Sequence, residues 1–312
     1  MKKLIISSSP HIHGSVTTRR IMLDVLIALL PVAVAAVWLF GLRALLILSV
    51  CTATAVLAEA LFCLLAKKKQ TVGDLSAAVT GLLLGLNLPL TVTVWQCVVG
   101  AIFAIVVVKC LFGGIGCNFA NPAITARIFL FLAFTSTAAG GVWPKAASAE
   151  LATGATPLAV MQEGSGALPS LTDMFLGLRG GAIGETCGVA ILIGFLYLLV
   201  RRVISWHTPV IFVGTVFLLS LIITNDPTLA LTQVLSGGLL LAAVFMATDY
   251  TTTPITRGGK VIFALGCGII TVLIRFYGTY PEGVSFAILF MNILSPYIEK
   301  WTKKKPLGGA KA

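Results

Sequence analysis

Few side chains in this 312-residue chain could do chemistry, and they fall in short stretches. The first is Thr153-Gly154-Ala155-Thr156-Pro157, within Glu-Leu-Ala-Thr-Gly-Ala-Thr-Pro-Leu-Ala-Val at 150–160. Two hydroxyls flank Gly-Ala there. Taken alone, the string reads as a turn leading into a helix. A threonine hydroxyl is a weak nucleophile and needs an activating partner. The second stretch, FGGIGCNFANPAITARI (112–128), joins a glycine turn, two asparagines and a proline. Pro122 suits a first helical turn with Asn121 as its cap. Free backbone N–H groups at such a start suit a phosphate, a carboxylate or a polar ring.

Arg127 follows one to two turns into that helix. It is either a functional charge inside the membrane or an arginine snorkelling to the cytoplasmic surface. The third stretch, MATDYTTTPITRGGK (246–260), sets Asp249 before Thr251, Thr252, Thr253 and Pro254. It is a cluster of hydrogen-bonding groups or a plain polar turn at a helix end. Glu59 precedes Lys67 by eight residues, about 12 Å along a helix. It serves an ion path or sits near the inner interface. Asn87 and Pro89 interrupt GLNLPL at 85–90.

Ordinary hydrolytic and metal chemistry finds little footing. No Walker loop, HExxH or Ser-His-Asp set is present, nor a Rossmann fingerprint or an iron–sulfur cysteine set. His11 and His13 read as solvated tail residues in preference to metal ligands. The seven cysteines are scattered, lack CxxC spacing and read as small buried residues.

The elements that must position these residues are membrane helices. The chain is 58% hydrophobic and 11% charged, with mean hydropathy +1.02; soluble domains carry about a quarter charged residues. A spanning helix needs about 20 apolar residues. Ten such runs occur, at 21–40, 43–66, 73–90, 92–111, 119–138, 185–201, 208–224, 229–247, 258–275 and 284–298. Several are short, which predicts tilted or broken helices. The N-terminal stretch lacks a signal peptide's apolar core and cleavage site.

The net charge of +11 is distributed in short clusters between apolar runs, such as Lys67-Lys68-Lys69, Arg201-Arg202 and Lys303-Lys304-Lys305. That is a positive-inside pattern and argues against a nucleic-acid partner. With the N-terminus inside, only Arg43, Lys145, Arg179 and Arg275 fall outside, leaving 18 of the 22 basic residues inside. Both termini are then cytoplasmic.

The long loop at 139–184 falls outside and divides the runs five and five. An odd number per half inverts the second half relative to the first. The expected organisation is a cytoplasmic tail (1–20), a five-helix repeat (21–138), an extracytoplasmic loop (139–184), a second five-helix repeat (185–299) and a cytoplasmic tail (300–312). Weak internal likeness supports it: VTGLLLG (79–85) against SGGLLLA (236–242), and GIGCNFANPA against GTYPEGVSFA before the fifth and tenth runs.

Glu150-Leu-Ala-Thr153-Gly154-Ala155-Thr156 resembles the flavinylation motif [DE]-x-x-[ST]-G-A-T of the Rnf and Na+-NQR respiratory complexes, with Glu for the more usual Asp and Thr for the more usual Ser. GGIGCNFANPA, MATDYTTTP and the ten-run layout extend the resemblance over nearly all the chain, to the RnfD and NqrB family. The short N-terminal region fits the Rnf side better.

The resemblance implies FMN joined to Thr156 by a phosphoester, with Thr153, Gly154 and Ala155 forming the motif around it. It implies attachment by a flavin transferase acting outside the cytoplasm. It also implies a buried riboflavin, sought near Asn121 or Asp249, with Arg127 a candidate for ion coupling. The implied fold is all-α and urea-transporter-like. The implied function is a membrane subunit of an ion-translocating ferredoxin:NAD+ oxidoreductase, inactive alone. Its partners would be the A, B, C, E and G components of the Rnf complex in a prokaryotic inner or plasma membrane. A flavin-free solute channel or secondary transporter of inverted-repeat fold is the alternative, and a structural scaffold subunit a third.

Overall fold

A computed structural model describes residues 17–138, 141–144, 153–164 and 168–303. His11, His13, Lys145, Glu150 and both chain ends lie outside these residues. The described chain is helical apart from one two-residue antiparallel ladder, β1 (Gly141–Val142) with β2 (Thr153–Gly154). The sequence does not foreshadow that ladder, which is too short to carry a strand periodicity.

The first half contains α1 (Thr18–Phe40), α2 (Leu42–Leu65), α3 (Ser76–Asn87), α4 (Val94–Ile102) and α5 (Pro122–Ala133). A π-helical stretch, Phe103–Cys110, continues α4. Three short helices follow: α6 (Thr135–Ala138), α7 (Pro157–Glu163) and α8 (Leu171–Leu176). The second half contains α9 (Gly188–Val200), α10 (His207–Thr224), α11 (Pro227–Leu235), α12 (Leu239–Leu241), α13 (Arg257–Tyr277) and α14 (Val284–Thr302). A second π-helical stretch, Ala242–Met246, continues α12.

Every one of the ten apolar runs holds a helix, but they are unequal. Four helices (α1, α2, α10 and α13) are long and apolar enough to cross a membrane, and one bent pair makes a fifth. The pair is Pro227–Leu235 with Leu239–Met246, bent by 64°. α3 and α5 have 12 residues each, because Leu88-Pro89 ends the one and Asn121-Pro122 starts the other. A residue before proline disfavours the α region. Asn121 caps α5 as its sequence foretells: its Oδ1 accepts from the Ala123 and Ile124 N–H groups at 3.0 and 3.3 Å.

The packing has the same order in each half. α2 packs on α3 and α4 while α10 packs on α11 and α13; α5 packs on α4 while α14 packs on α13. α1 meets α9 across the halves. Apolar surfaces gain little by association inside lipid, so helices approach closely where side chains are small. Gly194 of α9 is such a place: a Cβ there would clash with the Ala28 carbonyl oxygen of α1. Asp24 closes the same interface by accepting from Tyr197 at 3.1 Å and from Arg201 Nε at 3.2 Å. Large apolar side chains such as Val34, Trp38, Leu57 and Leu64 point outward. A protein with this outer surface and several helices long and apolar enough to cross a membrane is an integral membrane protein.

Candidate functional site

The Thr-Gly-Ala-Thr string folds as a strap over the second half. Thr153 and Gly154 pair with Val142 and Gly141 in the ladder. A Cβ on Gly154 would come within 2.9 Å of Trp143 Nε1, so the glycine makes room for the indole as well as exposing its backbone. Ala155 is exposed. Thr156 is half-buried and caps α7, its hydroxyl oxygen accepting from Ala159 N–H at 3.3 Å. Pro157 takes the first helical position. The expected turn into a helix is therefore present. Leu158 then anchors the strap. It is buried against Gly237, whose φ of +62° places it in the left-handed region where glycine is favoured.

Gly237 lies in the break between α11 and α12. The break frees carbonyls that water cannot reach, and two buried arginines supply donors. Arg275 donates to the carbonyls of Gln233 and Ser236, and Arg179 to those of Glu185 and Gly237. Two of the four basic residues that the charge pattern assigns outside are thus buried helix-break ligands.

Thr156 opens on a cavity lined also by Arg127, Phe131, Tyr280, Glu282 and Phe286. Arg127 stands at its base, mostly buried and away from any helix end. Its guanidinium pairs with Glu185 at 2.8 Å and with Glu282, and donates to Asn87 Oδ1 at 3.0 Å. Snorkelling to a surface does not occur; the charge is held inside by two carboxylates from other segments. Three aromatic rings form one wall. Tyr280 and Phe286 stack at 5.8 Å with an interplanar angle of 15°, and Phe131 meets Tyr280 edge-on at 5.2 Å.

A second cavity lies at the other end of α5. Asn121, Asn118, Lys109, Ser76, Asp249 and Thr251 contribute its polar lining. Asn121 and Asp249 therefore share one cavity, while Arg127 faces the other, six residues and about 9 Å along α5. The Asn121 side-chain oxygen is occupied by capping. The nearby Asn118 Oδ1 is buried and has no hydrogen-bond partner among the described residues. Asp249 accepts from Thr251 N–H at 3.1 Å, from Thr251 Oγ1 at 3.0 Å and from Thr252 Oγ1 at 3.2 Å. Burial pushes its carboxyl above the usual range, and these hydrogen bonds oppose that rise.

Lys109, at the inner end of the fourth run, is a residue that the charge pattern counts only as one more inside charge. It sits in the π-helical stretch with 2% of its side chain exposed. Its Nζ lies 2.9 Å from both carboxylate oxygens of Glu59 and 2.6 Å from Ser76 Oγ. Glu59 also accepts from Thr71 at 2.6 Å. Glu59 is one half of a buried ion pair. Glu185, Glu282, Asn118 and the aromatic wall were also missed as site residues. An intramembrane charge without a local partner was the available signal.

Among the described residues, no group of three or more His, Cys, Asp or Glu could hold a metal ion. Two cavities that carry charged and polar groups, at opposite ends of a half-length helix in a bundle with one bent span, mark an integral membrane protein with buried ionisable groups. Comparison with known proteins specifies it further. Residues 5–308 match the NQR2, RnfD, RnfE family, and the chain belongs to it.

It is 46% identical to the D component of the Na(+)-translocating ferredoxin:NAD(+) oxidoreductase complex of Acetobacterium woodii, over 99% of this chain and 96% of that one. It is 38% identical to the D component of the proton-translocating ferredoxin:NAD(+) oxidoreductase complex of Clostridium ljungdahlii, over 97% and 96%. Against the D component of the ion-translocating oxidoreductase complex of Halorhodospira halophila the identity is 35%, over 96% and 94%.

Proposed function

We propose that this chain is the flavin-carrying membrane subunit of an ion-translocating ferredoxin:NAD+ oxidoreductase. In that role it relays electrons within the complex and helps couple them to Na+ or H+ movement. The observation that carries the reading is the full-length match to the D component of such a complex. The donor set agrees with it: Thr156 has a half-buried hydroxyl in a strap whose neighbours are small.

In the attachment reaction, Thr156 Oγ1 loses its proton and bonds to the flavin-side phosphorus of FAD. The pyrophosphate P–O bond breaks and AMP leaves. A flavin transferase, which the family resemblance implies, catalyses the step and activates the weakly acidic hydroxyl. FMN supplies the electron-accepting chemistry, and the chain supplies position and electrostatics. Riboflavin is assigned to the cavity of Asn121 and Asp249, where the unpaired Asn118 oxygen can accept from a ring N–H.

The strap and residues 139–184 lie outside the cytoplasm, with both termini inside, in a prokaryotic plasma membrane. The burial of Arg179 and Arg275 against backbone carbonyls supports this orientation, because it removes two exceptions from the charge pattern. Two inverted five-helix repeats of urea-transporter-like fold are supported by the matching packing order of the halves. The A, B, C, E and G components of the complex are the partners.

The test is in-gel ultraviolet fluorescence of the denatured chain, co-expressed with a flavin transferase. Wild type and Thr153→Val should carry flavin, Thr156→Val should carry none, and mass spectrometry should find an FMN-sized addition only on the Thr156 peptide. A band that persists in Thr156→Val overturns the assignment.

A further inference from the structure

Resting on the reading that Thr156 bears FMN, we infer that the isoalloxazine ring folds back from the strap into the cavity of Tyr280, Phe286 and Phe131, with Arg127 as its positive counter-charge. The cavity starts at the attachment residue itself, so the tether need not cross the protein. A planar aromatic ligand needs a flat apolar wall. The near-parallel Tyr280 and Phe286 rings, with Phe131 edge-on beside them, provide one. Tyr280 is 40% exposed in the cavity mouth, leaving ring surface to cover.

Charge points the same way. Arg127, Arg179 and Arg275 lie around Glu185 and the partly exposed Glu282, three guanidinium groups to two carboxyls. An unbalanced charge there is costly. A flavin becomes anionic near N1 and the C2 carbonyl on full reduction with one proton taken up. The Arg127 guanidinium beside that locus would stabilise the anion, so it favours the reduced ring. Arg127 also donates to Asn87, and Asn87 Nδ2 lies 3.7 Å from Met246 Sδ in the π-helical stretch. That contact links the cavity to the segment leading to Asp249.

The experiment measures flavin emission of the full chain, flavinylated in cells, before and after denaturation. Subtracting the Thr156→Val signal isolates the tethered flavin from any other. A tyrosine stacked on a flavin quenches it by electron transfer, whereas phenylalanine does not. Native wild type should emit at least about fivefold less than after denaturation. Tyr280→Phe should relieve the quenching while keeping the visible circular dichroism of the ring. Tyr280→Trp should restore the quenching, and Tyr280→Leu with Phe286→Leu should lose both signals. All should keep the fluorescent band in denaturing gels.

Glu282→Gln, which leaves Arg127 paired with Glu185, should raise the midpoint potential of the tethered flavin. Equal emission before and after denaturation overturns the inference. So does quenching indifferent to Tyr280 but relieved by Trp143→Phe, which would put the ring on the other side of the strap. Absence of the band from wild type would instead overturn the attachment reading itself.

Discussion

Substituting Lys109→Met tests whether the buried pair with Glu59 is as the structure has it. Methionine keeps most of the lysine's length and removes the charge. In the native chain, Lys109 donates to both oxygens of Glu59 and to Ser76, and the two side chains are 2% and 1% exposed. Without Lys109, Glu59 keeps the Thr71 hydroxyl as its one side-chain partner among the described residues. Breaking a buried pair from one side costs about 3–5 kcal/mol, because a carboxylate is left uncompensated. Replacing both partners by apolar groups of similar volume is often neutral.

The double variant Lys109→Met with Glu59→Leu should therefore recover most of that loss. Equilibrium unfolding by sodium dodecyl sulfate in mixed micelles, read by helix content, measures all four corners of the cycle. A coupling energy of about 3 kcal/mol or more is expected. A single variant within about 1 kcal/mol of wild type, or a double variant as unstable as the single, would refute the reasoning.

The strap offers a sharper separation of roles. Thr156→Ser keeps both cap and nucleophile and should flavinylate, whereas Thr156→Val loses the cap at a cost of about 0.5–2 kcal/mol as well as the flavin. Gly237→Val demands a left-handed backbone and meets Leu158, so limited proteolysis should cut near α7 faster than in wild type. Gly194→Leu would force α1 and α9 apart and should destabilise by at least about 1–3 kcal/mol in the same micellar unfolding assay. Asp226 caps α11, and hydrogen bonds from Thr228 hold its carboxyl below the usual range. Its stabilisation is present above the ordinary aspartate value near 3.9 and is lost as pH falls through the depressed one. Hydrogen exchange at the start of α11 should accelerate only in that acid window, and Asp226→Asn should abolish the acceleration.

The sequence by itself determined what depends on neighbours along the chain. Apolar runs marked every α-helix outside residues 139–184, because lipid requires continuous apolar side chains and internally satisfied backbones. Asn121-Pro122 announced the start of α5, because capping is a contact over three residues. The Thr-Gly-Ala-Thr-Pro string announced the turn into α7 for the same reason. Family resemblance rested on such strings, and it extends along the whole chain.

Tertiary structure alone decided which charges meet. Glu59 and Lys109 are 50 residues apart, and Arg127 and Glu282 are 155 apart. No local pattern ties them together, so Lys109 counted only as an inside charge and Arg127 read equally well as a snorkelling arginine. Their pairing follows from α2 lying against the π-helical stretch and α5 against α14. The same packing divided the polar residues between two cavities. Asn121 and Arg127 lie on one helix, but its two ends face different spaces. The aromatic wall beside Thr156 comes from α5 and from the segment entering α14, so it exists only once the halves have closed on each other.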